Sequence, residues 1–121
     1  MKNELINRTK LFALDCWKFC FKIPKSREYN AYVNQLIRSS SSVGANYRAS
    51  QRAKSTADFI NKLKIVEEEV DESIYWLEIF EEISSDFKKE IQTLKSEGKE
   101  LLAITVSSIN TARRNLKKSR D

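Results

Sequence analysis

Arg48, Arg52 and Lys54 lie within two turns of one another, and Arg113, Arg114, Lys117 and Lys118 crowd the other end of the sequence. Cations clustered in this way neutralise phosphates and release the counterions condensed on them, so the chemistry they suggest is binding to the backbone of RNA or DNA. Such binding weakens steeply with salt and carries no sequence preference of its own. Arg48 and Arg52 could share one phosphate path. Tyr47 beside them would stack on an unpaired base if exposed, or pack in the core if not. The run from Arg113 to Arg120 has a second reading, because cations near a helix C-terminus interact favourably with its dipole.

Other reactive residue types give no comparable site. Cys16 and Cys20 stand one turn apart, but two thiolates make half a zinc site and the chain has no His, so they read as core thiols. Glu67, Glu68, Glu69, Asp71 and Glu72 fill two turns with more acid than one interior could accept, which indicates a solvated or inter-subunit face. Di-iron bundles need Glu-x-x-His pairs, which this chain cannot supply. No nucleophile with a base, no metal set and no phosphate cradle is recognisable, so neither enzymatic activity nor a metal or cofactor is expected.

The elements that position these residues must be helices. The 121 residues include 2 glycines and 1 proline and are 32% charged and 40% hydrophobic, which predicts one all-α domain over residues 1–121. No apolar run is long enough to cross a bilayer and no cleavable leader is visible, so a cytoplasmic protein without a membrane partner is expected. Leu5, Thr9, Phe12, Cys16, Phe19 and Ile23 form the stripe of a first helix that stops at Pro24, with Ser26 capping the second. Val33, Leu36, Ser40, Val43 and Tyr47 form the second stripe. Ser39 to Ser42 and Gly44 are weak helix formers there and allow a local break. Ser55, with Asp58 three residues on, starts a third helix whose core is Phe59, Leu63, Val66, Val70, Ile74, Leu77 and Phe80. Trp76, Ile79 and Ile83 widen its apolar surface. Ile91, Leu94, Leu101, Leu102, Thr105, Ile109, Ala112 and Leu116 mark a fourth, with Gly98 able to bend it. Connections this short predict an antiparallel up-down-up-down four-helix bundle.

That topology sorts the net charge of +5 into poles. The start of the first helix, the second connection and the end of the fourth helix meet at one end. They bring Lys2, Arg8, Lys10, Lys62, Lys64 and Arg120 to the two clusters above, against Glu4, Asp58 and Asp121. The opposite end collects Glu78, Glu81, Glu82, Asp86 and Glu90, partly offset by Lys22, Lys25 and Arg27, so a long-range charge dipole is expected. On the second helix Arg38, Ser42 and Asn46 recur at spacings of four, which predicts an inter-helix hydrogen-bond ladder in which Arg38 pairs with a carboxylate of the third helix or of a neighbouring subunit.

The order and spacing of Arg38-Ser39, Ser42-Val43-Gly44-Ala45-Asn46-Tyr47-Arg48, Gln51-Arg52-Ala53, the helix start from Ser55 to Phe59, Asp71-Glu72 and Tyr75-Trp76-Leu77-Glu78 resemble a known family. It comprises the four-helix-bundle proteins encoded in intervening sequences of bacterial 23S ribosomal RNA genes, and the accessory proteins of diversity-generating retroelements look related to it. The resemblance implies a bundle assembled as a homopentamer, with Arg38, Ser42, Gly44 and Asn46 in its most recognisable motif. It suggests nucleic-acid binding and, from the retroelement relatives, a reverse transcriptase as partner. Many members carry Glu where this chain has Ala49, so no role of that carboxylate carries over.

Two functions follow as expectations. The first is a homo-oligomer that binds nucleic acid through its basic pole, with repetition of the pole supplying avidity. The alternative is a protein-interaction scaffold that uses the acidic, aromatic side of the third helix, with Tyr75 and Trp76 as its contacts and no nucleic acid. Self-association is also suggested by Leu11, Phe12, Leu14, Trp17, Phe19 and Phe21, which cover more of the first helix than one core face requires.

Overall fold

The computed structural model describes residues 2–120, with side chains for residues 4–119. Four helices account for its regular structure: α1 (Lys2–Cys20), α2 (Arg27–Ser50), α3 (Thr56–Ile83) and α4 (Lys88–Arg120). No strand occurs among the described residues, and no helix is long and apolar enough to cross a membrane. Each helix packs on the next in sequence and α1 closes the ring against α4. Pairs across the α2–α3 seam run in opposite directions, Tyr29 with Ile83, Tyr32 with Trp76 and Arg38 with Glu69, as an antiparallel bundle requires.

The helix ends follow from local chemistry. After Cys20 the N–H groups of Phe21, Lys22 and Ile23 donate to carbonyls three residues back, and Pro24, which has no N–H, prevents the helix from resuming. The hydroxyls of Ser26 and Ser55 accept from the N–H groups of Tyr29 and Asp58, both at 3.1 Å. Caps of this kind contribute about 0.5–2 kcal/mol each.

All the stripes read from the sequence converge on one core, with Phe12, Cys16, Leu36, Val43, Val70, Leu77, Phe80 and Ile91 essentially inaccessible. α2 runs unbroken through its serines, where a break was allowed. The reason is packing: Ser39 and Ser40 are buried, and the Ser39 hydroxyl lies 2.8 Å from that of Ser73 on α3. At Gly44 a Cβ would stand 3.4 Å from the backbone of Thr9, so its absence lets α1 approach α2 closely. α4 is likewise continuous past Gly98, where a Cβ would meet Ile74 at 3.0 Å and Phe12 at 3.6 Å. There the glycine makes room for neighbouring helices.

Candidate nucleic-acid interface

The connection between α2 and α3 is tied down at both ends. Gln51, Arg52 and Ala53 donate their N–H groups to the carbonyls of Arg48, Ala49 and Ser50, which tightens the last turn of α2. The Asp58 carboxylate accepts from Lys62 Nζ at 2.7 Å and from the Lys54 N–H at 3.0 Å. Those bonds, Lys62 first, hold Asp58 below its ordinary range. The backbone that carries Arg48, Arg52 and Lys54 is therefore fixed, while their side chains are exposed.

Arg113, Arg114, Lys117 and Lys118 are exposed on the last turns of α4. Phe59, in the first turn of α3, lines a depression with Thr111, Ala112 and Asn115, so this part of α4 arrives at the end where α3 begins. Phe59 also lines a neighbouring depression with Tyr47, Lys54 and Leu5. The same ring thus adjoins both basic clusters. Leu116 still packs on the core, and the cations around it point to solvent. Arg114 donates to Thr111 Oγ1 at 3.2 Å. No ion pair engages Arg48, Arg52, Lys54, Arg113, Lys117 or Lys118 among the described residues.

One open reading is resolved and two sequence expectations change in detail. Tyr47 is 8% exposed and burial raises its phenol pKa, so its ring packs and offers no stacking platform. The basic pole loses Arg8 and Lys62: Arg8 is held by Glu97 at 2.7 and 2.8 Å and by Glu100 at 2.7 Å, and Lys62 by Asp58. The hydrogen bonds to Glu97 and then Glu100 raise the guanidinium pKa further. The side chains of Lys2 and Arg120, and all of Asp121, lie outside the described residues. The opposite pole is less acidic than expected, because the start of α4 adds Lys88, Lys89 and Lys95. Glu81 pairs with Lys95 at 2.9 Å and Glu90 with Lys22 at 2.7 Å. The charge asymmetry therefore resides in the basic end.

The polar motif of α2 divides. Arg38 bridges to α3, bound to Glu69 at 3.1 Å and to Glu72, with the Glu69 hydrogen bond as the main cause of its raised pKa. Ser42 and Asn46 do not extend that bridge into a ladder. Asn46 Nδ2 folds back onto the Ser42 carbonyl at 2.9 Å and its hydroxyl at 2.8 Å, one turn away in the same helix. The hydroxyl that does cross the seam is Ser39, which burial on a small-residue face could have indicated. On α3, Trp76 donates to Glu72 at 3.2 Å and stands against Tyr32 at 5.7 Å. Of the aromatic pair, only Tyr75 is exposed.

Sequence reasoning did not single out the groove between α1 and α2, an apolar depression of about 450 Å³ where Leu14 and Trp17 sit beside Lys10 and Arg48. The spacing of Lys10, Leu14 and Trp17 on one helical face was the available signal. Among the described residues no cluster of His, Cys, Asp or Glu could hold a metal, and both cysteines are buried.

The sequence profile of a family described as 23S rRNA-intervening sequence protein matches residues 1–107. A solved structure from Bacteroides thetaiotaomicron, described as a protein with unknown function from the S23 ribosomal protein family, superposes with a TM-score of 0.81 at 28% identity, covering 91% of this chain and 99% of that one. No curated protein matches the sequence.

Proposed function

We propose that this chain, which belongs to the 23S rRNA-intervening sequence protein family, is a non-enzymatic, self-associating bundle that binds the backbone of RNA or DNA at its basic end. The observation that carries this reading is the density of exposed, unpaired cations at one end. Lys10, Lys18, Lys25, Lys64, Lys88, Lys89 and Lys99 are also exposed and without an ion pair among the described residues, but they are spread over the molecule and those at the far end stand among Glu78, Glu82 and Asp86, whereas Arg48, Arg52, Lys54, Arg113, Lys117 and Lys118 face solvent together at one end. Phosphates would supply the missing counter-charge. Backbone contact is the reading this surface supports, because Tyr47 is packed away and Phe59, the ring that adjoins both clusters, is half-buried.

Self-association multiplies a weak backbone contact through avidity. A closed homopentamer is the assembly the family likeness suggests, and exposed apolar residues on α1 give it a surface. By analogy with the retroelement accessory proteins that the sequence motifs resemble, a reverse transcriptase is the protein partner proposed. The test is an electrophoretic shift of structured RNA and duplex DNA at low salt. Reversal of Arg48, Arg52 and Lys54 to Glu should abolish the shift while helicity stays unchanged. Undiminished binding by that variant removes the proposed surface.

A further inference from the structure

Leu11, Leu14, Trp17 and Phe21 are 43–68% exposed, and so are Ile65, Tyr75 and Ile83 to 41–52%; Val106 alone completes the set of exposed large apolar residues among those described. Two helices therefore carry nearly all of it. On α1 the spacing of Leu11, Leu14 and Trp17 makes one stripe, which Phe21 prolongs in the turn after Cys20. On α3 Ile65, Glu68, Glu72, Tyr75, Ile79 and Ile83 recur at three and four and make another. α1 and α3 each pack on α2 and α4, so they occupy diagonal corners and their outer faces look in opposite directions.

The two stripes carry opposite charge. Beside the α1 stripe stand Lys10 and Lys18, with Arg48 across the groove; Lys18 also borders the depression toward α4 that contains half-buried Asp15 and Lys22, and Lys22 is already paired with Glu90. After Lys64 the sequence of α3 contains no cation. Its exposed Glu68, Asp71, Glu78 and Glu82 have no ion pair among the described residues. Joining two α1 stripes would set lysine against lysine, and joining two α3 stripes would set acid against acid. Joining α1 to α3 satisfies both charge and apolar cover.

We infer that the α1 stripe of one copy docks on the α3 stripe of the next, a heterologous contact between identical chains. This rests on the self-association proposed above and specifies its surfaces. Within one chain Phe19 and Phe80 meet across the core at 5.6 Å. α1 and α3 run parallel with equal rise per residue, so Lys10 stands level with Asp71, and Lys18 one residue from the level of Glu78. Rotation about an axis along the helices preserves those heights, so each copy brings its lysines to its neighbour's acids. The same rotation gathers every basic end on one face of a ring, which is the arrangement avidity for a phosphate backbone needs.

The experiment is light scattering and sedimentation of the full chain at micromolar concentration, with three variants: Lys10→Glu/Lys18→Glu, Asp71→Lys/Glu78→Lys, and all four changes together. The wild type is expected as one discrete oligomer, each paired variant as a helical monomer, and the fourfold variant as an oligomer again. All four side chains are exposed, so loss of fold is checked by circular dichroism and excluded by the rescue. A monomeric wild type overturns self-association as well as this contact. An oligomeric wild type whose paired variants remain assembled, or whose fourfold variant stays monomeric, overturns the contact alone. So does a Lys10→Glu/Lys18→Glu variant that stays assembled but loses RNA binding, which would make the α1 stripe a nucleic-acid surface instead.

Discussion

Replacing Ser39 and Ser73 by alanine, singly and together, isolates the hydrogen bond that fastens α2 to α3. Both side chains are inaccessible to water. Ser73 donates to the Glu69 carbonyl at 2.8 Å, so its oxygen is free to accept from Ser39 at 2.8 Å. In Ser73→Ala, the Ser39 hydroxyl retains only the Leu36 carbonyl at 3.3 Å and no water can replace the lost partner. A net bond of this kind contributes about 0.5–1.5 kcal/mol, against which alanine returns up to about 0.7 kcal/mol of helix propensity. Each single variant should therefore lose from about zero to about 1.5 kcal/mol, at most a few degrees in Tm. Propensity adds between sites and the shared bond does not. The double variant should consequently be more stable than the sum of the singles implies, by about 0.5–1.5 kcal/mol. Urea unfolding followed by circular dichroism measures this, with all variants at one protein concentration because self-association would make stability concentration-dependent. Losses that add to within about 0.3 kcal/mol would show that the two hydroxyls do not act together.

Burial pushes the Cys16 and Cys20 thiols up to about 12 and about 11, so both are neutral at mildly alkaline pH. Neither should react with iodoacetamide in the native protein, both should react in denaturant, and rapid native labelling would contradict their placement. Asp58 titrates below its ordinary 3.8 in the folded protein, so its stabilisation is complete above that value and is lost as pH falls through the lowered one. The deficit of Asp58→Asn in urea midpoint should thus be present at neutral pH and shrink below 3.8; a deficit independent of pH would show that the charge contributes nothing. Gly98→Leu would drive a side chain against Ile74 and Phe12 and should cost at least about 1–3 kcal/mol, read as a lower Tm, whereas an unchanged Tm would mean the seam is looser than its geometry indicates.

Much of the fold was legible in the sequence because apolar spacing decides which face of a helix is buried. Phe12, Leu36, Val70 and Ile91 had no other consistent place, and Ser26 and Ser55 announced helix starts through their position before the stripes. The continuity of α2 was not legible: propensity disfavours its serines, and only the α3 surface opposite Ser39 and Ser40 overrides it. Charge was read less well than core. A list of cations does not reveal that Arg8 is matched by Glu97 and Glu100, or that Lys95 comes back to Glu81, since those partners are brought together by tertiary packing. The intrahelical bond between Asn46 and Ser42 was missed for a related reason. Spacing of four serves a bond within the helix as well as one to a neighbour. The exposed stripe of α1 was visible as a surplus of apolar residues, but its complement on α3 required the two faces and their relative heights.

The most direct test of backbone binding is a salt series on labelled duplex DNA, structured RNA and an RNA–DNA hybrid. It compares the protein with a variant in which Arg113, Arg114, Lys117 and Lys118 are replaced by Gln. Backbone binding predicts that log Kd rises linearly with log salt for all three ligands, by about 0.9 per phosphate neutralised on duplex DNA, and that the variant binds more weakly with a visibly flatter slope. Negligible affinity for every ligand at low salt, or a slope that does not change when those charges are removed, would contradict it.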